Sequence, residues 1–174
     1  MFLEISIYCR GGQGGVTTAR ILAAAAMLQG YFSQSMPQFG PERRGAEVRA
    51  FLRISDNEIR RKCAVTDPDV VILFDQRLGY DGDPETVVVN CNSKPFNQIG
   101  QTKVCQVDAT EIAVRHGLVS AGWPILGPAM GGAAAKILDI DYRCLMEAIK
   151  MELGDKAEKS MKAAEEAYKV VKCV

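Results

Sequence analysis

The sequence predicts an α/β domain: a three-layer α/β/α arrangement around a mostly parallel, mixed central sheet, with a glycine-rich loop between the first strand and the first helix. Three observations predict it. An alternating run from Leu3 to Cys9 meets a cluster of glycines and is followed by a helical stretch from Val16 to Gln29. Short continuous apolar runs at Val70 to Phe74 and Thr86 to Asn90, with a similar one at Lys103 to Val107, have the pattern of strands covered on both faces. Helical periodicities follow these runs and fill the C-terminal part of the chain.

The first unit is strand, tight loop, helix. Val16, Ala19, Ala23, Ala26 and Gly30 fall on one line of the helix, and the small residues from Ala23 to Ala26 suit a helix lying close against a sheet. Gly30 supplies the C-terminal stop. From Ala46 to Ile54 apolar and polar residues alternate strictly, which predicts one half-buried strand with Arg49 and Arg53 on its polar face. Ser55 to Glu58 reads as a turn, after which Ile59 to Val65 is expected to return as an antiparallel neighbour. Asp108 and Glu111 stand at capping-box spacing, and Gly117 ends the short helix they begin.

Tyr142, Leu145, Met146, Ile149 and Leu153 then recur at helical spacing up to Gly154. A last helix carries Ala157, Met161, Ala164, Tyr168 and Val171 on a narrow seam, with Glu158 and Lys162, and Glu165 and Lys169, as i,i+4 pairs outside it. That seam is expected to pack on the domain's own body or, as the alternative, on another subunit. A single domain over 1–174, including C-terminal helices at about 141–173, is consistent with the 174 residues, because a chain of this size buries roughly 70% of its unfolded surface.

Charge and cysteine usage exclude several functions. The 21 basic and 21 acidic residues cancel, so no overall field draws the molecule to nucleic acid or to an anionic membrane. Locally, Glu42 to Lys62 holds seven Arg or Lys against four acids; this is either a solvated face or a site for a phosphate-bearing ligand or an acidic partner. The six cysteines form no C-x-x-C pair and the chain has one His, which argues against a zinc site or an iron–sulfur cluster held by this chain. Reduced thiols in a cytoplasmic protein are expected. Gly117 to Ala135 is uncharged, but its five glycines and two prolines make it a poor membrane span.

Arg10-Gly11-Gly12-Gln13-Gly14-Gly15 joins the first strand to its helix, where backbone N–H groups and the positive helix end can receive an anion or a partner's oxygen. Glycines that merely permit the turn are the alternative. A dinucleotide fingerprint requires G-x-G-x-x-G/A and an acid roughly 20 residues on, yet counting from Gly12 the third position is Thr17, and Gly30 to Gln34 holds no acid. A Walker A loop fails as well, for lack of Gly-Lys-Ser/Thr.

Phe39-Gly40-Pro41-Glu42-Arg43-Arg44-Gly45 precedes the alternating strand as a loop stiffened by Pro37 and Pro41. Its adjacent arginines can fork to phosphate or carboxylate, or remain solvated. On RGGQG and FGPERRG, in that order, the chain resembles the gamma subunits of 2-oxoacid:acceptor oxidoreductases. The likeness runs on through Arg49 to Ser55, Asp67 to Asp75, Val87 to Asn90 and Pro124 to Ala135. Cys9 stands where a small residue is more usual in that family, and Gly15 where an aliphatic one is.

The resemblance implies a complex that oxidatively decarboxylates pyruvate or a related 2-oxoacid with coenzyme A, giving acyl-CoA, carbon dioxide and reduced ferredoxin. It implies thiamine diphosphate and iron–sulfur clusters on partner subunits, one thiamine-binding and one ferredoxin-like. This chain agrees, having no Gly-Asp-Gly thiamine signature and no cluster-spaced cysteines. It is therefore expected to hold no catalytic residue and no metal, and to be inactive alone. Arg10, Gly11, Gly12, Gln13 and Gly14 are expected to face a ligand or an interface. Gly40, Pro41, Glu42, Arg43 and Arg44 are expected to face coenzyme A or a partner, with Asp75 and Asn90 as strand-end contacts. His116, without a nucleophile or carboxylate beside it in sequence, reads as structural. Two other classes stay open: a self-contained enzyme binding a nucleotide or small molecule, and a regulatory interaction domain.

Overall fold

The computed structural model describes residues 1–38, 45–92, 96 and 100–174. Its centre is strand β1 (Phe2–Arg10), which pairs antiparallel with β3 (Glu47–Ser55) and parallel with β4 (Val70–Leu73). Helix α1 (Gly15–Leu28) leads from β1 to the edge strand β2 (Phe32–Gln38), and β5 (Thr86–Asn90) and β6 (Lys103–Val107) extend the sheet beyond β4. After α2 (Ala109–Arg115) come a hairpin of β7 (Val119–Ser120) and β8 (Trp123–Pro124), then α3 (Gly127–Ile137), α4 (Tyr142–Leu153) and α5 (Ala157–Val170). A short β9 (Lys172–Cys173) completes the sheet order β2-β3-β1-β4-β5-β6-β9. By the pairings, β1, β2, β4, β5 and β6 share one direction while β3 and β9 oppose it. The sheet is thus mixed and mostly parallel, as expected.

The helices bury one face of the sheet. Ile5, Ile7, Leu52, Ile72 and Val88 meet α1 through Leu22 and Ala26, and α3 through Met130 and Ala134, in one apolar cluster to which α2, α4 and α5 also contribute. Tyr8, Val71, Leu73, Val87 and Val104 occupy the other face, covered by Leu78, Tyr80 and Phe96 from the segments before β5 and β6. Among the described residues that outer layer is irregular chain.

Small residues set the inner layer's spacing. The uncharged stretch rejected above as a membrane span contains α3, buried on all sides from Gly127 to Ala135. Among the described residues no helix is long and apolar enough to cross a membrane. A side chain at Gly132 would run into the backbone of Ala164, so the α3–α5 crossing requires glycine there. The seam of α5 packs on the chain's own body: Ala157 and Ala164 are buried, and Met161, Tyr168 and Val171 pack against the same core. Asp108 caps α2 by accepting from the Glu111 amide at 2.9 Å.

Three expectations are corrected. Ile59 to Val65 is not a strand, because β3 already pairs with β1 on one side and β2 on the other and offers no free ladder. The polar face of β3 is not solvated along its length: Arg53 is fully buried, donating to Glu4 Oε1 at 2.8 Å and Gln34 Oε1 at 3.1 Å, with Cys63 Sγ at 3.9 Å. Nor are all the cysteines thiols, since β9 sets Cys173 directly opposite Cys105 and a disulfide joins them.

Cys9 and Gly15, the two departures from the resembled family, are one exchange of volume. A Cβ on Gly15 would collide with the Cys9 sulfur, and burial pushes the Cys9 thiol up to about 11, partly offset by a hydrogen bond from the Gly15 backbone. The strand has taken the space the helix gave up. Gly15→Ala alone is expected to lower stability by about 1–3 kcal/mol through overpacking. Cys9→Ala with Gly15→Ala should recover much of that, giving a coupling energy of about 1 kcal/mol or more in a urea-unfolding double-mutant cycle; additive losses would show that the two positions do not share one space.

Candidate functional site

The chain leaves β1 toward β2 on one side, while β4 continues to β5 on the other, so a crevice opens beyond the carboxyl ends of β1 and β4. A cavity of about 490 Å³ lies there, bounded by the glycine loop, Asp75 to Arg77 after β4, Asn90 at the end of β5 and the Trp123–Pro124 strand of the hairpin. Phe74, Pro124 and Leu126 give it apolar walls.

Much of the glycine loop's hydrogen bonding is internal. Gly11 N–H donates to Ala46 O at 2.8 Å and Gln13 N–H to Arg10 O at 3.1 Å, while the Gln13 side-chain oxygen accepts from the Arg10 amide at 2.7 Å. The Gln13 carbonyl accepts from the amides of Leu126 and Gly127, at 3.1 and 3.0 Å, and so caps the start of α3, which has no side-chain cap. Thr18 Oγ1 lies within hydrogen-bonding distance of both Gly14 O, at 2.9 Å, and Gly127 O, at 3.1 Å, knitting α1 to α3. Gly12 and Gly14 take positive φ, 88° and 95°, the left-handed conformation that makes glycine necessary here. Part of the oxygen-receiving capacity read from the sequence is thus met within the chain.

The cavity's charged wall is built on Asp75, only 9% exposed. Arg77 donates to it from its backbone N–H (2.9 Å), Nε (3.0 Å) and Nη2 (2.8 Å), and Arg10 donates from Nε at 2.8 Å. These guanidiniums, Arg77 first and then Arg10, hold the Asp75 carboxyl well below the usual carboxylate range against the opposing effect of burial. Arg10 also donates from Nη1 to Gly45 O at 3.2 Å, tying the first loop to the residue that follows Arg44. Asn90 donates to Phe74 O at 3.1 Å and Thr110 Oγ1 at 3.0 Å, and accepts from the Ala109 amide at 2.9 Å. It thereby ties β4, β5 and α2 together at the rim.

The structure thus brings Arg10, Gly11, Gly12, Gln13, Asp75 and Asn90 to one cavity. Gly14 lies on the far side of the loop, against Gly127. The second predicted group, Gly40, Pro41, Glu42, Arg43 and Arg44, lies outside the described residues. Sequence reasoning missed Arg77 and Trp123. Arg77 carried a signal, an acid followed two residues later by an arginine at a strand end; Trp123 carried one in the Ala121-Gly122 turn before it. His116 meets Glu166 from α5, as a structural histidine would.

Among the described residues no three His, Cys, Asp or Glu side chains gather where they could hold an ion. Cys9 and Cys91 are buried, Cys63 is exposed and Cys105 is bonded to Cys173. Fold and cavity together define an α/β domain with an arginine-lined cleft at its switch point. Residues 4–170 match the pyruvate ferredoxin/flavodoxin oxidoreductase family, and the chain belongs to it. It is 40% identical to pyruvate synthase subunit PorC of Methanothermobacter thermautotrophicus, over 97% of this chain and 96% of that one. It is 41% identical to the pyruvate/ketoisovalerate oxidoreductases common subunit gamma of Thermococcus kodakarensis, over 95% of each. Among solved structures, pyruvate oxidoreductase subunit PORC of Thermotoga maritima superposes with a TM-score of 0.83 at 30% identity, covering 99% of this chain and 98% of that one.

The depressed Asp75 titration sets a pH signature. Its folded value lies below the ordinary range near 3.9, so its stabilising contribution is complete above that range and is lost as pH falls through the folded value. Asp75→Asn is expected to cost about 1 kcal/mol, discounted for the solvent around the pair. The gap from wild type in urea unfolding should be flat above about pH 5 and close below about pH 4. A gap that grows on acidification would contradict the assignment.

Proposed function

We propose that this chain is the gamma subunit of a cytoplasmic pyruvate:ferredoxin oxidoreductase complex, working on pyruvate or a closely related 2-oxoacid. The observation that carries the reading is similarity, over nearly the whole length, to subunits named for pyruvate synthase and for pyruvate oxidoreductases. Thiamine diphosphate and the iron–sulfur clusters sit on the thiamine-binding and ferredoxin-like partners, and ferredoxin takes the electrons. Coenzyme A is the acyl acceptor of the complex.

Within that assembly this chain binds and orients. Arg10 and Arg77 are permanently charged and serve as poor proton carriers, so their chemistry is attraction and fork geometry toward phosphate or carboxylate. Asp75 holds both in place, the glycine loop lets backbone approach closely, and the apolar walls limit water. In the sequence Arg43 and Arg44 directly precede Gly45, which lines the cavity, and this pair is the further candidate for contact with coenzyme A or the partner.

Two measurements test the reading. The isolated full chain is expected to be colourless and to oxidise no 2-oxoacid; stoichiometric visible absorption from an iron–sulfur centre would refute it. In the reconstituted complex, Arg43→Ala and Arg44→Ala should each cost about 2–5 kcal/mol in subunit retention or coenzyme A affinity if desolvated against an anion, and under about 1 kcal/mol if solvated. Lysine variants should rescue only in part. Wild-type retention and affinity in the double alanine variant would remove the arginine pair from the site.

A further inference from the structure

A second cavity, of about 520 Å³, lies on the helical side of the glycine loop and shares no lining residue with the first. The loop divides between them: Arg10 to Gln13 line the first, and Gly14 lines the second. Three helices present their opening residues to this space, α1 through Thr17 and Thr18, α3 through Gly127 and Pro128, and α5 through Glu158 to Ser160. None of the three has a side-chain N-cap, whereas α2 and α4, which begin elsewhere, are capped by Asp108 and Asp141. The first turn of each helix carries partial positive charge and favours an anion.

A buried hydroxyl opens into the same space. Ser160 lines the cavity and is only 4% exposed, yet among the described residues nothing hydrogen-bonds its side chain. Nor is its oxygen sealed in the interior, because Ser6 Oγ is the only such orphan among them. The Ser160 hydroxyl is therefore a free donor facing the cavity, unlike that of Thr18, which Gly14 O and Gly127 O already engage at 2.9 and 3.1 Å. Side-chain charge points the same way. Lys156 and Lys159 line the cavity without a carboxylate partner among the described residues, and of the two acids beside them Glu158 is paired with Lys162 at 3.3 Å, which leaves Asp155 against two ammonium groups. The remaining walls are apolar, supplied by Ile21, Leu118, Ile125 and Leu153.

We propose that this second cavity binds a small aliphatic carboxylate, with its charged end held by the Ser160 hydroxyl and the helix starts and its chain laid on Ile21, Leu118, Ile125 and Leu153. Lys156 and Lys159 attract the ligand from the rim. The volume falls within the range of small-molecule sites. An inorganic anion would leave the apolar walls wet, and a neutral alkyl compound would leave the donors without an anion, so only a molecule carrying both parts satisfies the whole lining. The site is independent of the arginine-lined cleft and of the subunits that surround the chain.

Hexanoate is a suitable probe, titrated into the full chain and followed by amide chemical shifts. It is expected to move the amides of Thr17, Gly127 and Ser160 saturably while those of Gly11 and Gly12 stay in place. Acetate, which lacks the chain, and hexan-1-ol, which lacks the charge, should both bind much more weakly. Ser160→Ala should weaken hexanoate about tenfold, the scale of one hydrogen bond to a charged group, and Lys156→Gln combined with Lys159→Gln about threefold, as suits solvated charges. Thr17→Glu places a carboxylate in the first turn of α1, where a helix accepts it, and should abolish binding while the rest of the amide spectrum is retained. Equal binding of hexan-1-ol and hexanoate, unaltered affinity in Ser160→Ala, or full binding in Thr17→Glu overturns the proposal. So does the absence of saturable shifts with hexanoate when the same amides move on adding the partner subunits, which would make the cavity part of an interface. Because these titrations use the chain alone, their failure leaves the retention result in the reconstituted complex standing.

Discussion

The fold hangs on the close approach of two helix starts at one loop. Gly14 and Gly127 come together so tightly that a Cβ on Gly127 would lie 2.9 Å from the Gly14 oxygen. The Gln13 carbonyl and the Thr18 hydroxyl fill the hydrogen-bonding needs of the junction. Once α3 is docked there, α5 can cross it at Gly132 and α1 can lie flat on β1 and β3. The cavity is what remains on the open side of the same junction. Burying the glycine loop's carbonyl against α3 therefore also fixes the wall on which Arg10 stands.

Electrostatics then divides the labour along the rim. One buried carboxylate, Asp75, organises two guanidiniums that come from the ends of neighbouring parallel strands, β1 and β4. An isolated acid at 9% exposure would be costly to keep ionised; two arginines reverse that preference. Arg53 follows the same logic on the outer face, where Glu4 and Gln34 make a fully buried guanidinium tolerable.

The parts of this architecture that were legible in the sequence are those with a local signature. Val70 to Leu73 and Thr86 to Asn90 announce buried strands by unbroken apolar composition, and Arg10 to Gly15 announces a turn by glycine alone. Asp108 and Gly117 mark both ends of α2. The strand Phe32–Gln38 carried no such mark: FSQSMPQ is polar, contains a proline and lies on the sheet edge, where half-buried side chains need no alternation. Arg53 looked like a surface charge because only its neighbours in space, Glu4 and Gln34, account for its burial. Of the site, the loop and the strand-end acid were visible, whereas Arg77 and Trp123 acquire meaning only when β4 and the hairpin are brought to one cavity. The likeness to gamma subunits rested on RGGQG and FGPERRG, and only the first of these falls within the described residues.

The bond between Cys105 and Cys173 spans 68 positions and encloses α2, the hairpin, α3, α4 and α5 in a covalent ring. Closing a loop of that length reduces the entropy of the unfolded chain by the equivalent of about 4 kcal/mol. The helical layer thus has two stabilities written into one sequence, one for the closed ring and one for the opened chain, in which β9 keeps only its short pairing with β6. A reductant that opens the bond would withdraw that entropic contribution from the C-terminal helices.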